Sequence, residues 1–221
     1  TIGAGQLRIG NDNALGSGVV ILSGGAVSSD GGVSRTLANP LAITSASTLG
    51  DATDNGLITF GGPVDFAGAG RILTVNSDVR FAGGATDGSC RSKQGKGTLT
   101  IKGTVNYSGA SDVQDGTLIY DGATVTDSDR LIADAGGVNG IARLVITNGA
   151  SITVNTTVGN LRSGRQAFGP GDPVCSPGAE PEAKGRRERA SGSIEGDGDL
   201  FWPRAARRKW ELDLDSRYVR E

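Results

Sequence analysis

Carboxylates are the side chains whose type and spacing come nearest to catalytic chemistry in this sequence. The 221 residues include no histidine, which removes the usual general base and excludes Ser-His-Asp and Cys-His catalytic sets within the chain. Asp127 and Asp129 are two positions apart and Arg130 follows, so on one strand they would share a face, as a glycoside hydrolase site would need. The favoured interpretation is an exposed corner before a strand at Leu131, and no catalytic residue is predicted.

Metal and phosphate sites are also weakly supported. Oxygen ligands for calcium occur in Asn11-Asp12-Asn13 and Asp197-Gly198-Asp199, but neither segment has the full loop with a glutamate at its twelfth position. The stretch Gly95-Lys96-Gly97-Thr98 is like part of a phosphate loop, yet a glycine separates lysine from threonine and no helix is expected to follow. We therefore predict no metal ligand and no cofactor, and keep a calcium-binding module as an alternative.

Two further features have structural interpretations. Cys90 and Cys175 lie far apart and neither belongs to a C-x-x-C pair, so they make a poor zinc site, and whether they pair is left open. The pair Thr98-x-Thr100 would suit an ice-binding face only if such pairs stacked in every coil. Outward β-branched residues on a strand are the favoured interpretation.

The composition divides the chain near Ser163. All six glutamates and both tryptophans come after residue 179, whereas every threonine lies at or before Thr157. The region 1–163 has 13 aspartates against 11 lysines and arginines, so it lacks the clustered cations that nucleic-acid binding requires. No run of 18 apolar residues occurs, which argues against a membrane-spanning helix. We predict two regions, 1–163 and 164–221.

Region 1–163 is predicted to be a string of short strands. Alternating apolar residues, many of them β-branched, are bounded by Gly, Asn, Asp or Ser, which is strand chemistry followed by turn chemistry. The clearest segments are 6–9, 19–22, 57–60, 72–75, 98–101, 117–120, 144–147 and 151–154. No stretch reads as an amphipathic helix.

The strands recur as a unit of about 20 residues, with Leu99 and Leu118 at equivalent positions. A repeated unit of this length is typical of a solenoid, and short strands favour a parallel β-helix over a leucine-rich horseshoe. The 37 glycines would then serve corners with positive φ. Inward positions are predicted for Leu7, Ile9, Leu99, Ile101, Leu118 and Tyr120. An antiparallel sandwich with N-G or D-G hairpins is the alternative fold.

One segment resembles a known family. Residues 94–125 read QGKGTLTIKGTVNYSGASDVQDGTLIYDGATV, which looks like the autotransporter-associated β-strand repeat. Its pattern is met by Gly95, Gly97, Leu99, Ile101, Gly103, Asn106, Tyr107, Gly109, Gly116, Thr117 and Leu118. The opening from Gly5 to Ala26 is similar to the half-repeat that usually follows, so the resemblance covers about residues 1–162.

The resemblance implies a right-handed, single-stack parallel β-helix from the passenger region of an exported bacterial surface protein. It further implies a scaffold without catalytic residues, a location outside the cell or on its surface, and an outer-membrane barrel as partner in the full-length protein. The chain begins at Thr1 without a visible leader, so we expect any export signal upstream. A host or matrix glycan or protein is the expected but unidentified ligand.

Region 164–221 does not continue the pattern. It holds five of the seven prolines and is rich in arginine and glutamate, a composition that predicts a disordered or poorly structured tail. Its basic run Arg204, Arg207, Arg208, Lys209 beside Trp210 would suit an anionic partner, but acidic residues follow at once. The favoured hypothesis is a shifted reading frame near Ser163.

Three functional hypotheses follow from the sequence. The first is a non-catalytic surface scaffold, adhesin-like in character. The second is a polysaccharide-active β-helical enzyme that works with aspartates alone. The third is a calcium- or glycan-binding module.

Overall fold

The computed structural model describes residues 1–127, 130–133, 141–154, 160–163, 192–195, 198–201 and 213–214. Every regular element among them is a β-strand. Parallel strands stack as a β-solenoid of about 6 turns. The predicted parallel β-helix is therefore confirmed, and the antiparallel sandwich is wrong.

Each turn of the solenoid has three faces. Face 1 consists of β2 (Val20–Leu22), β5 (Leu41–Ile43), the first residues of β8 (Val64–Val75) and β10 (Ala85–Gln94), β12 (Thr104–Tyr107), β15 (Thr124–Asp127) and β18 (Ser151–Val154). Face 2 consists of β1 (Gln6–Ile9), β3 (Ala26–Ser29), β6 (Ser47–Leu49), the last residues of β8 and β10, β13 (Ser111–Val113), β16 (Arg130–Ala133) and β19 (Asn160–Ser163).

Face 3 forms a separate sheet. It consists of β4 (Arg35–Leu37), β7 (Ile58–Phe60), β9 (Val79–Phe81), β11 (Thr98–Ile101), β14 (Gly116–Asp121) and β17 (Ala142–Thr147). Partner residues on successive turns are 20 positions apart for Val105 and Val125, and 21 apart for Val20 and Leu41. These separations agree with the unit of about 20 residues that the sequence predicts.

All eight strands expected from the sequence are present, most with small differences at their ends, although β8 begins at Val64, eight residues before the expected segment 72–75. Segments 6–9, 98–101 and 151–154 match β1, β11 and β18 at both ends. Most strands of face 1 were not anticipated, because three or four residues between glycines carry too short an alternation to distinguish a strand from a loop.

A single apolar core runs through the stack from Ile9 to Ile152. Five of the six side chains predicted to point inward are buried, and Leu7 is half-buried. The rings of Phe60 and Phe81 on adjacent turns meet edge to face with centroids 5.9 Å apart, a geometry favoured by the charge distribution of aromatic rings. Burial of this column stabilises the solenoid at about 25 cal/mol per Å² of apolar surface.

The corners carry the glycines, as the sequence analysis expects. Gly84 has φ +82° at the corner before face 1, and a Cβ there would overlap the carbonyl oxygen of Thr104 on the next turn. Both the left-handed backbone and the close approach of two coils therefore require glycine at this position.

We predict that Gly84→Ala lowers the free energy of unfolding by about 2–4 kcal/mol, from backbone strain together with displacement of the next coil. The measurement is the urea midpoint at constant slope. Gly3→Ala is the control, because a Cβ at Gly3 has no atom within 4 Å. Equal midpoints for the two variants would contradict the assignment of Gly84 to an obligatory corner.

Three short strands from region 164–221 pair antiparallel at the last turn. The backbone of β20 (Gly192–Glu195) pairs with β18, β21 (Gly198–Phe201) pairs with β17, and β22 (Asp213–Leu214) pairs with β21. The other residues of this region, including Cys175 and the basic run near Trp210, lie outside the described residues. The tail and reading-frame hypotheses stay predictions.

Candidate functional site: a polar cluster inside the solenoid

Five ionisable side chains are buried inside the solenoid between β10 and β15, and we call them the interior polar cluster. They are Cys90, Lys93, Tyr107, Tyr120 and Asp127, and each is at most 4% exposed. Their positions come from face 2 (β10), face 1 (β12 and β15) and face 3 (β14). All three faces therefore converge on the cluster.

Lys93 occupies a position that is apolar in the neighbouring turns. It pairs in register with Leu73 on one side and with Val113 on the other, and its side chain is completely buried. Lysine is almost never fully buried unless its ammonium group has partners.

The partners of Lys93 are backbone carbonyls at the corner between faces 2 and 3. Its Nζ donates to the carbonyl oxygens of Gly95 at 2.7 Å, Asp115 at 2.8 Å and Gln94 at 3.3 Å. The ammonium group thus joins the corners of two successive coils. Burial lowers its pKa to about 8, and the nearby Cys90 and Asp115 oppose that shift.

The two tyrosines come from different faces of the solenoid, Tyr107 from β12 on face 1 and Tyr120 from β14 on face 3. The ring of Tyr107 packs edge to face against Phe66 at 5.7 Å, and neither tyrosine hydroxyl has a hydrogen-bond partner among the described residues. Burial raises the pKa of both phenols well above the usual value, and the charge of Asp127 adds to the shift. Both phenols therefore stay neutral at physiological pH.

Asp127 corrects an expectation from the sequence. The side chain is fully buried and follows Tyr107 in the inward column of face 1, so the exposed corner expected there is wrong for this residue. Asp129 and the side chain of Arg130 lie outside the described residues. A carboxylate enclosed by the coil cannot contact a polymeric substrate, so Asp127 is not placed for glycoside hydrolysis.

Cys90 is enclosed in the same interior. It is 2% exposed, and burial raises its pKa to about 12. Because the thiolate is the nucleophilic form, such a thiol is unreactive in the folded protein near neutral pH. Its pairing with Cys175 stays untested, since Cys175 lies outside the described residues.

The Asn11-Asp12-Asn13 segment closes the first edge of face 3. Asp12 accepts a hydrogen bond from the backbone N–H of Thr36 in β4 at 3.2 Å, and Asn11 accepts one from the N–H of Asn13 at 2.8 Å. Asp12 therefore satisfies a backbone donor at the open edge of β4, a need that open strand edges have, whereas the Asn11 oxygen stabilises its own turn. The second calcium candidate is described only as the backbone of Gly198 and Asp199, within β21.

The glycines at 95 and 97 form a corner between coils. The N–H of Gly97 donates to the carbonyl of Val75 at 2.8 Å, and the carbonyl of Gly95 accepts from Lys93. These backbone groups therefore form hydrogen bonds within the solenoid. Lys96, beside them, is exposed.

Threonine pairs are more regular than the sequence analysis assumed. Besides Thr98-x-Thr100 on face 3, the pair Thr124-x-Thr126 points outward on face 1. It stacks in register between Thr104-x-Asn106 and Ser151-x-Thr153. The second pair is already visible in the sequence, but only the register between coils shows which triplets stack on it.

Within the described residues, no three Cys, Asp or Glu side chains converge in a way that would hold a metal ion. In the same part of the chain, no helix is long and apolar enough to cross a membrane. Compared with protein-family models, with curated proteins and with solved structures, the chain shows no match to any of them.

Proposed function

We propose that residues 1–163 act as a non-catalytic, adhesin-like scaffold on a bacterial surface, as part of an exported autotransporter-like passenger. The observation that carries the proposal is the continuous core from Ile9 to Ile152, to which the described residues of all three faces contribute buried side chains. Such a stack behaves as a rod in which each coil is held by its neighbours. The ionisable groups of the interior polar cluster are enclosed, which supports a structural role for them.

The resemblance to the autotransporter-associated repeat supports the surface location. A rod suits the presentation of binding surfaces away from a cell. An outer-membrane barrel as partner, and a glycan or protein ligand, are parts of the same proposal.

Surface location is tested with the full reading frame expressed in its source organism and an epitope inserted at Gly68, which is exposed and has open space around it. Antibody labelling of intact cells is expected to equal labelling of permeabilised cells. A cytoplasmic protein tagged with the same epitope is the control. Labelling that requires permeabilisation would refute the surface location.

The non-catalytic part of the proposal is tested separately. We predict that the purified chain releases no reducing ends from neutral or acidic polysaccharides above the level of a heat-unfolded sample. If release occurs, Asp65→Asn and Asp87→Asn, which change exposed carboxylates near one corner, would show whether surface aspartates are responsible. Release that depends on them would establish the enzymatic alternative.

A further inference from the structure

The outer edges of β17 and β18 are the places where a parallel stack would continue. Each strand pairs on one side with the preceding turn, β17 with β14 and β18 with β15. The N–H and C=O groups of an uncovered strand edge are a template on which another chain can pair, and solenoids therefore need capping units at their ends. What covers these two edges therefore decides whether another chain can add to the stack.

Both edges are covered by a segment of the same chain that runs in the opposite direction, residues 192–201. Within it, β20 pairs with β18 and β21 pairs with β17, each antiparallel over four residue pairs. Every described pairing between strands of residues 1–163 is parallel. The reversal of strand direction therefore marks the point where the regular coil is followed by a different unit.

The register of this segment matches the apolar core. Ile194 is the register partner of Ile152, and Leu200 is the register partner of Leu144. Both Ile152 and Leu144 are buried in the core, and residues directly opposite each other in neighbouring strands belong to the same side of a sheet. Ile194 and Leu200 therefore occupy inward positions of the register, one on face 1 and one on face 3.

The other positions of the segment carry features that discourage further pairing. Glu195 and Asp199 are the register partners of Ser151 and Val145, which alternate with the core residues of their strands. Both β20 and β21 have only four residues, and each begins with glycine. Short strands and charged residues are the devices by which proteins protect sheet edges. The segment therefore suits the last layer of a stack.

The opposite end of the stack has the same two faces covered. Ile2 forms an isolated bridge with Leu22 of β2 on face 1, and Asp12 accepts the N–H of Thr36 in β4 on face 3. Leu15, three residues after Asp12, packs against the core. Covering of faces 1 and 3 is therefore common to both ends of the described stack.

We propose that residues 192–201 cap the solenoid and keep a second copy of the chain from pairing with β17 and β18. The occupant of the two edges is a segment of the chain itself, held by backbone pairing and by two inward aliphatic positions. A second copy is the competing occupant because its strands carry the same backbone groups, and edge contacts that do not close produce open assemblies. The inference goes beyond the scaffold function proposed above and does not depend on export.

Amide hydrogen exchange of the full wild-type chain is the first test. The amides of Gly192–Glu195 and Gly198–Phe201 should exchange at least about tenfold more slowly than in a synthetic peptide of residues 190–203, because paired amides exchange only when the pairing opens. Exchange at the rate of the peptide would overturn the proposal, whatever the variants below do.

A matched pair of variants then separates a cap from a tail without contacts. Ile194→Asp places a charge at an inward register position, whereas Ser193→Asp places the same charge at the register position of Thr153, which is half-exposed. We expect exchange in β18 to become at least about tenfold faster in Ile194→Asp and to stay unchanged in Ser193→Asp. Amides of β11, in the middle of the stack, should stay protected in both variants. Equal exchange in β18 for the two variants would overturn the proposal.

Sedimentation velocity over a range of concentrations, with a reducing agent present, tests protection against association. The wild type and Ser193→Asp should sediment as monomers, and Ile194→Asp should form larger species whose share grows with concentration. An Ile194→Asp variant with faster exchange in β18 that stays monomeric would overturn the protective role. Because neither measurement involves a cell surface, its outcome is separable from that of the surface-labelling experiment, which tests the scaffold proposal alone.

Discussion

Lys93→Met is expected to lower the free energy of unfolding by about 2–4 kcal/mol. Methionine fills a similar volume between Leu73 and Val113, but it leaves the carbonyls of Gly95 and Asp115 without the donor that joins them. A buried acceptor that loses its partner costs about 1–3 kcal/mol. The loss should be visible as a lower urea midpoint and as faster amide hydrogen exchange around Gly116.

Lys96→Met is the matched control, because Lys96 is three residues away and exposed. Its substitution should change stability by less than about 0.5 kcal/mol. A Lys93→Met variant as stable as the wild type would mean that the desolvation of the ammonium group outweighs its three hydrogen bonds, as happens when some buried ionic groups are replaced by apolar ones. The cluster would then lack the corner-joining role assigned to it.

Alkaline pH is expected to unfold the chain cooperatively. The pKa of Cys90 is about 12 in the folded protein against 9.0 for a free thiol, and the phenol pKa of Tyr107 and Tyr120 lies well above 10.0. Groups whose pKa is raised by folding hold protons more tightly in the folded state. Their contribution is therefore complete below pH 9.0 and is lost as the pH rises from there through the folded values.

Lys93 acts in the opposite direction. Its pKa falls from 10.5 to about 8 on folding, so the unfolded chain holds the extra proton between these values and stability rises with pH across that window. Below pH 9.0 this gain is unopposed, so stability should rise between pH 8 and 9, level off between pH 9 and 10 as Cys90 offsets it, and fall steeply above about pH 10 when both tyrosines add to the loss. In Lys93→Met this rise in stability with pH is absent, so the loss of stability at alkaline pH should begin at a lower pH than in the wild type.

The measurement is phenolate absorbance recorded together with circular dichroism during an alkaline titration. Phenolate absorbance from Tyr107 and Tyr120 should appear only as the strands unfold, and a Tyr218→Phe background removes the signal of the third tyrosine in the chain. In a Cys175→Ser background, Cys90 should react with a thiol reagent only after unfolding. Phenolate formation in a chain that retains its strand signal would show that the interior is open to solvent.

Corner chemistry and strand alternation are visible in the sequence because both are local. Thr98–Ile101 alternates in a period of two and is preceded by Gly97, so its strand and its inward residues, Leu99 and Ile101, were predicted correctly. Glycine at corners follows from the backbone conformation alone. The repeat of about 20 residues then favours stacked coils over hairpins, as the structure confirms.

The inward position of Lys93 depended on the tertiary structure. The pairing of β10 with β8 shifts register between Thr86 and Gly88 and again between Ser89 and Ser92. A shift of one residue moves every following side chain to the opposite face of a strand. No local pattern in the sequence marks those shifts, so a lysine that reads as a surface residue is carried into the core.

The sequence by itself determined the class of fold, its repeat and its corner residues, because each depends on a few neighbouring residues. The tertiary structure alone decided that Asp127 lies inside beside Tyr107, and that Thr104, Thr124 and Ser151 form one row outside. Both results depend on which residues of separate coils lie in register. Register is set by the packing of whole turns against one another, and sequence distance does not record it.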